Sequence, residues 1–303
     1  MYFKSPIDAI GHTPLIELSR MNPNKKVKIL AKLEGQNLGG SASVKDRIAK
    51  YMIEKAEQSG KLTKDKIIIE ATSGNTGIAL AWLGSQKGYK VTILMPDSMS
   101  LERRQLLRMY KAELILTPGA QGMMGAIETA RELAAKDDRY FMPDQFSNLA
   151  NPLAHYETTG VEIMDDFPYD RIDVLVVGIG TGGTLVGVTR RLKEKYPKIK
   201  VVGVEPPPSD PIQGLRNLDE YVPPIVDLSL ITERTVISSL QAKEATRQLM
   251  EKEGIFAGLS SGAIACQAVK VAQEMDRGNL VTVLPDGGWK YLSMDFWMRN
   301  DKE

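Results

Sequence analysis

Apolar residues along this chain come in two rhythms. Short unbroken runs of aliphatic residues, such as Ile67-Ile68-Ile69-Glu70-Ala71 and Val174-Leu175-Val176-Val177, alternate with longer stretches whose apolar positions recur at helical spacing. The first kind predicts strands covered on both faces, and the second predicts amphipathic helices. Strands are expected at 67–71, 90–95, 113–117, 174–177, 200–204 and 280–284, and helices at 78–86, 99–110, 123–136, 184–196, 242–253 and 261–275. A further helix is expected after Gly39-Gly40-Ser41-Ala42-Ser43, because Val44, Ile48, Met52 and Ala56 follow at i, i+4. Such alternation predicts an α/β fold with mainly parallel sheets flanked by helices.

The 303 residues suit two lobes better than one core. A polar, proline-containing segment at 148–152 marks the expected boundary, whereas the proline cluster at 205–211 is expected to be a stiff loop. Apolar residues make up 43% and charged residues 25%, an ordinary globular composition. Thirty-nine basic and 38 acidic side chains leave a net charge of +1, so no global field attracts nucleic acid or an anionic membrane. No apolar run reaches membrane-spanning length, and Met1-Tyr2-Phe3-Lys4-Ser5-Pro6 lacks the apolar stretch of a signal peptide. A single cysteine, Cys266, excludes an internal disulfide and fits a cytoplasmic protein; its helical setting reads as a buried structural thiol. The two histidines, His12 and His155, have neither metal-ligand spacing nor a cysteine nearby, so no metal site is expected. A base other than histidine is therefore sought, which directs attention to lysine.

Three loops carry candidate chemistry. In 39–47, Lys45 falls in the first turn of a helix, where the positive end of the helix and burial both favour a neutral amine able to attack a carbonyl. The ordinary alternative is a surface lysine paired with Asp46. In Glu70-Ala71-Thr72-Ser73-Gly74-Asn75-Thr76-Gly77, hydroxyl and amide side chains crowd a strand-to-helix turn beyond what capping needs, which suits a carboxylate or other small anion. In Gly178-Ile179-Gly180-Thr181-Gly182-Gly183-Thr184, glycines let the backbone close on a phosphate at a helix start. The glycines at 178, 180 and 183 also match a dinucleotide fingerprint, with Glu205 roughly where a ribose-binding acid would lie, so a nicotinamide oxidoreductase stays open on this motif alone.

The three loops in this order resemble the fold type II pyridoxal-phosphate enzymes, tryptophan synthase β-like in fold, and in particular the cysteine synthase family. The likeness runs almost end to end, through Gly11-His12-Thr13-Pro14-Leu15, Ser43-Val44-Lys45-Asp46-Arg47, Asp144-Gln145-Phe146, His155-Tyr156-Glu157-Thr158-Thr159-Gly160 and Gly258-Leu259-Ser260-Ser261-Gly262. The resemblance implies pyridoxal 5′-phosphate bound to Lys45, which also moves the α-proton. It implies Asn75 on the cofactor's phenolic oxygen, Gly180, Thr181, Gly182, Gly183 and Thr184 around its phosphate, and Ser260 at its ring nitrogen. Thr72, Ser73, Thr76 and Gln145 are implied as the substrate α-carboxylate pocket. It further implies a larger cofactor-binding domain of 1–38 plus 151–303, a smaller mobile substrate-binding domain of 39–150, and a homodimer. The activity implied is β-replacement: an O-activated serine gives α-aminoacrylate, which a sulfur donor such as sulfide converts to L-cysteine. Cystathionine or diaminopropionate synthase is the alternative within the family, and a catalytically silent binding protein the alternative outside it. Two departures stand out. Ala42-Ser43 look inserted before the lysine helix, and the segment 211–220 is short, as in the second cysteine synthase type and its O-phosphoserine-using members. There, an arginine matching Arg216 recognises the substrate phosphate; otherwise Arg216 is expected to pair with Asp219 or Glu220.

Overall fold

A computed structural model describes residues 2–72, 74–97, 101–294 and 296–297, with the backbone alone at 101–103. In chain order the elements are β1 (Leu15–Glu17), β2 (Val27–Leu33), α1 (Val44–Gln58), β3 (Ile67–Ala71), α2 (Asn75–Lys87), β4 (Lys90–Pro96), α3 (Leu101–Met109), β5 (Glu113–Thr117), α4 (Gly122–Lys136) and β6 (Tyr140–Phe141). They continue with α5 (Ala150–Ala154), α6 (Gly160–Asp166), β7 (Val174–Gly178), α7 (Gly183–Lys195), β8 (Lys200–Glu205), β9 (Glu233–Val236), α8 (Ser239–Glu253), α9 (Leu259–Glu274) and β10 (Gly278–Leu284). Two compact units result, one of Met1–Gly11 with Asn37–Asn151, the other of His12–Gln36 with Pro152–Glu303.

The first unit holds a four-stranded parallel sheet in the order β5-β4-β3-β6. Neighbouring residues of β3 bury on opposite sides of it. Ile68 packs with Ala49 and Ile53 of α1 and Ile78 of α2, while Ile69 and Ala71 pack with Ala126 and Ala130 of α4. This two-sided burial is why the strand carries no polar face. The second unit holds a six-stranded sheet, β1-β2-β10-β7-β8-β9, parallel except for the β1–β2 pair. Val174 and Val176 of β7 face a core shared with α8 and α9, whereas Leu175 and Val177 face one shared with α6 and α7.

The expected α/β architecture is thus present, with differences at element ends. Helix α2 starts at Asn75 rather than Ile78, α8 at Ser239 rather than Ala242, and α9 at Leu259 rather than Ser261. The first turn of α8 is set by a cap, with Ser238 and Gln241 bonding each other's backbone, and caps leave no trace in apolar periodicity. The helix expected at 99–110 is described over Leu101–Met109. Strand β2 was not anticipated, because Lys28 and Lys32 interrupt its apolar run. Lys32 is fully buried all the same: its Nζ donates to the Thr13 carbonyl at 2.5 Å and pairs with Glu162 at 2.9 Å and Asp166 at 3.2 Å.

Candidate active site

Each unit builds one cluster of the residues singled out in the sequence. In the first unit, Lys45 is the second residue of α1 and half-buried. Its placement follows from a capping box. The Ser43 hydroxyl accepts from the Lys45 amide at 3.1 Å, and the Asp46 carboxylate accepts from the amides of Ser41 and Ser43, each at 3.0 Å. Asp46 is 1% exposed, and its two oxygens close the loop ahead of the helix. Ala42 takes up the inserted length in a left-handed turn, φ +44°, under a 2.6 Å hydrogen bond between the Ser41 and Ser43 hydroxyls. That conformation costs an alanine roughly 1–2 kcal/mol, so the carboxylate and the paired hydroxyls hold it in place. Lys45 stands in the first turn of α1.

The second part of this cluster lies at the carboxyl end of β3. Thr72 is buried, and its Oγ1 accepts from the Gly74 amide at 3.3 Å. Asn75 opens α2 behind Gly74, which has no side chain to cap that helix end, so the positive end of α2 is directed at the loop. Thr76 donates its hydroxyl hydrogen to Gln145 Oε1 at 2.7 Å, and both side chains are buried. That bond joins positions 69 residues apart and leaves the Nε2 hydrogens of Gln145 to serve a second acceptor. The Gln145 carbonyl is in turn held by Asn151 Nδ2 at 2.8 Å. Thr72, Asn75, Thr76 and Gln145 are therefore gathered at one helix start, and Ser73 lies outside the described residues.

Glu70 was not singled out. It is the one charged residue of β3, it is 2% exposed, and its Oε2 accepts from the Asp144 amide at 2.9 Å. Burial pushes its carboxyl up to about 8; the Asp144 carboxylate adds to this, while the Asp144 and Gln145 amides and Arg131 oppose it. The visible signal was a lone acid inside an otherwise aliphatic strand.

In the second unit, residues 178–184 connect β7 to α7. A side chain on Gly180 would put its Cβ 2.5 Å from the Gly214 carbonyl oxygen, so only glycine fits. Gly182 stands before α7 at φ +89°, where glycine is strain-free, and the Thr181 Oγ1 accepts from the Gly183 amide at 3.4 Å. Thr181 and Gly183 are buried and Thr184 is half-buried. Backbone amides at the positive end of a thirteen-residue helix, with glycine backbone in place of side chains, fit a phosphate dianion. Ser260, 3% exposed in the first turn of α9, has its Oγ 3.4 Å from where a Cβ on Gly214 would lie. His155, also missed, joins this loop: its ring nitrogens lie 2.9 Å from Thr159 Oγ1 and 3.3 Å from Thr184 Oγ1. It belongs to a π-helical turn, His155–Thr159, a local irregularity often found at functional sites.

The segment carrying Arg216 is pinned at several points. The Arg216 amide donates to the Ile179 carbonyl at 2.7 Å, Asn217 Nδ2 to the Pro206 carbonyl at 2.9 Å and the Leu218 amide to Glu205 Oε2 at 2.6 Å. Glu205, 1% exposed, also takes a two-pronged contact from Arg234, which reaches Asp219 at 2.8 Å. Glu205 is thereby committed to holding the loop, which removes it as a ribose-binding acid. Asp219 serves Arg234, and the Arg216 guanidinium lies 5.0 Å from the centre of the Tyr221 ring. Cys266 on α9 is half-buried, and burial raises its thiol against the opposing effect of Lys270, the opposite of an activated nucleophile.

Comparison with known proteins agrees with this arrangement. A family model described as pyridoxal-phosphate dependent enzyme matches residues 7–286. A cysteine synthase of Staphylococcus aureus strain N315 is 43% identical over 311 aligned positions, covering 98% of this chain and 99% of the relative. The crystal structure of an O-ureido-L-serine synthase superposes with a TM-score of 0.93 at 39% identity, covering 100% of this chain and 98% of the other. That of an O-acetylserine dependent cystathionine β-synthase from Helicobacter pylori superposes with a TM-score of 0.90 at 35% identity, covering 98% and 100%.

Proposed function

The chain belongs to the pyridoxal-phosphate dependent enzyme family, and on that premise we propose that it makes L-cysteine by β-replacement, joining an O-activated serine to a sulfur donor. The observation that carries the reading is the cluster at the start of α2, where Thr72, Asn75, Thr76 and Gln145 meet at a helix end opened by Gly74, in the same unit as Lys45 in the capping box of α1. Relatives whose names specify cysteine, cystathionine and O-ureido-L-serine share the fold over their full lengths. Their products differ in the group joined at the β-carbon, so the amino-acid half of the site is the part this chain is best placed to share.

The cofactor, when bound, supplies an electron sink for the carbon that gives up its proton. Lys45 would hold it through Nζ, and the same amine, when free, would take the substrate α-proton. Residues Gly180, Thr181, Gly182, Gly183 and Thr184 would hold the phosphate, Asn75 the phenolic oxygen, and Ser260 would offer a neutral hydroxyl to the ring nitrogen. Thr72, Ser73, Thr76 and Gln145 bind the substrate carboxylate and so orient the reacting bonds. Arg216 takes the phosphate of O-phosphoserine, its planar fork matching a dianion. In this reading the unit of 1–11 with 37–151 is the mobile substrate-binding part, the unit of 12–36 with 152–303 the cofactor part, and the working assembly a homodimer.

Spectroscopy of the purified protein tests the proposal. A yellow protein that bleaches with borohydride, with the label on Lys45, is expected; a colourless protein that gains no colour with added pyridoxal phosphate overturns it. O-phosphoserine and O-acetylserine are then added separately, with product analysis after sulfide or homocysteine. Selective loss of the O-phosphoserine response in Arg216→Ala supports the phosphate role, and equal loss with both substrates removes it. Cystathionine formed faster than cysteine would move the assignment to the family alternative.

A further inference from the structure

The peptide that carries Gln145 does not hold itself. It follows β6, a two-residue edge strand that pairs with β3 only at Ile67 and Ile68. Beyond that pairing the chain turns sharply at Asp144, a non-glycine residue at φ +49°. The Asp144 carbonyl accepts from the amides of Ser147 and Asn148 at 3.1 and 3.0 Å, closing the turn on its far side. On the near side the Asp144 amide goes to the buried Glu70 carboxyl at 2.9 Å, and the Gln145 amide favours the charged form of the same carboxyl. Glu70 thus continues the sheet's role with a side chain where the backbone ladder of β6 stops.

We propose that Glu70 is a positioning residue for the amino-acid substrate: by accepting the Asp144 amide, with the Gln145 amide drawn to the same charge, it fixes the turn that presents Gln145 to Thr76 and hence to the substrate carboxylate. This rests on the reading of that cluster as the α-carboxylate pocket. Strand alternation places Glu70 on the Ile68 side of β3, where α1, α2 and β4 contribute Ala49, Ile53, Ile78, Ala79 and Ile93, all apolar. The charges acting on it are Asp144 on the turn itself and Arg131 on α4. The ionised carboxylate offers two acceptors to the two amides. The protonated acid, like glutamine, sets a hydrogen donor against one of them, so the turn loosens when Glu70 is neutral.

The experiment compares wild type, Glu70→Gln and Glu70→Ala as holoenzymes. It measures kcat/KM for the O-activated serine, kcat/KM for sulfide, and amide hydrogen exchange of residues 142–148, which is also followed without cofactor. Near neutral pH and below, Glu70→Gln is expected to match wild type within about twofold. About a unit above 8 its kcat/KM for the amino acid should lie about tenfold below wild type, the effect of one hydrogen bond to a charged group. Exchange at 144 and 145 should rise in step, and kcat/KM for sulfide should stay within about twofold. Glu70→Ala should show the amino-acid defect across the whole range; if it does not fold, the glutamine variant carries the test alone. Unchanged kcat/KM and exchange in Glu70→Gln at every pH, or equal losses toward both substrates, overturn the proposal. Failure of the reading beneath it looks different, because the wild-type holoenzyme itself would then give no spectral response to an O-activated serine.

Discussion

Replacing Glu70 with glutamine is expected to stabilise the protein, and more so as the solution becomes alkaline. The carboxyl lies 2% exposed and is raised from 4.5 to about 8, chiefly by burial. Its folded value lies above its unfolded one, so between these values the folded chain binds more protons than the unfolded chain, and stability falls as pH rises through that window. The loss begins above about 4.5 and is complete just above 8. At about 1.4 kcal/mol for each factor of ten, the full span corresponds to about 5 kcal/mol. This is a ceiling, since water or Arg131 drawn toward the new charge would soften it. Glutamine cannot ionise, so its stability should lack this pH dependence. Urea denaturation of the cofactor-free protein at about pH 5 and about pH 9 is the assay. The advantage of Glu70→Gln over wild type should grow by several kcal/mol between the two. An advantage that is constant, or that shrinks as pH rises, would refute the placement of a buried carboxyl at the end of β3 whose burial outweighs its partners. Both expectations for Glu70 have one origin: the state that best holds the Gln145 turn is the state the fold least tolerates.

Three further outcomes follow from the geometry. Asp46→Ala removes the acceptor of the Ser41 and Ser43 amides and one half of the α1 capping box; a loss of about 2 kcal/mol in thermal unfolding is expected, and an unchanged midpoint would show that the loop closes without it. Gly180→Ala drives a methyl group to 2.5 Å from the Gly214 carbonyl oxygen; the loop must shift, and fluorescence titration should show cofactor affinity reduced by about tenfold or more. Arg234→Ala leaves the buried Glu205 without its two-pronged partner; a destabilisation of about 3 kcal/mol is expected, with faster proteolysis of the segment around Arg216, and an intact segment would mean that the Ile179 and Pro206 contacts suffice.

Much of this molecule was legible before any coordinates. Strands β3, β4, β7, β8 and β10 were expected because in a parallel sheet each face is covered, and both parities must be apolar; β5, half-exposed at its sheet edge, was expected from its Leu114-Ile115-Leu116 run. Helix starts were placed two or three residues late at α2, α8 and α9, since the first turn is decided by caps and loops and not by the buried stripe. Edge strands β1, β6 and β9 went unseen: each is four residues or fewer, too short for a pattern, and exists because a longer neighbour offers it a ladder. Strand β2 was hidden by Lys32, whose burial among Glu162, Asp166 and the Thr13 carbonyl is a matter of partners supplied from elsewhere.

By itself, the order of residues determined the kind of fold and the chemistry on offer: the alternation of strand and helix, the three loops at element ends, and a lysine in the first turn of α1. These are local matters, written in spacing and in the residue types that caps, anions and phosphates require. Tertiary structure alone decided which side chains serve the site and which serve the scaffold. Lys45 holds its place because Asp46 turns back on its own loop. Arg216 lies over Tyr221, and Asp219 goes to Arg234. Gln145 meets Thr76 across 69 residues, with Glu70 holding the turn from 74 residues away. A buried polar group must find its partner wherever the fold brings one, and that partner is set by packing, which no local pattern records.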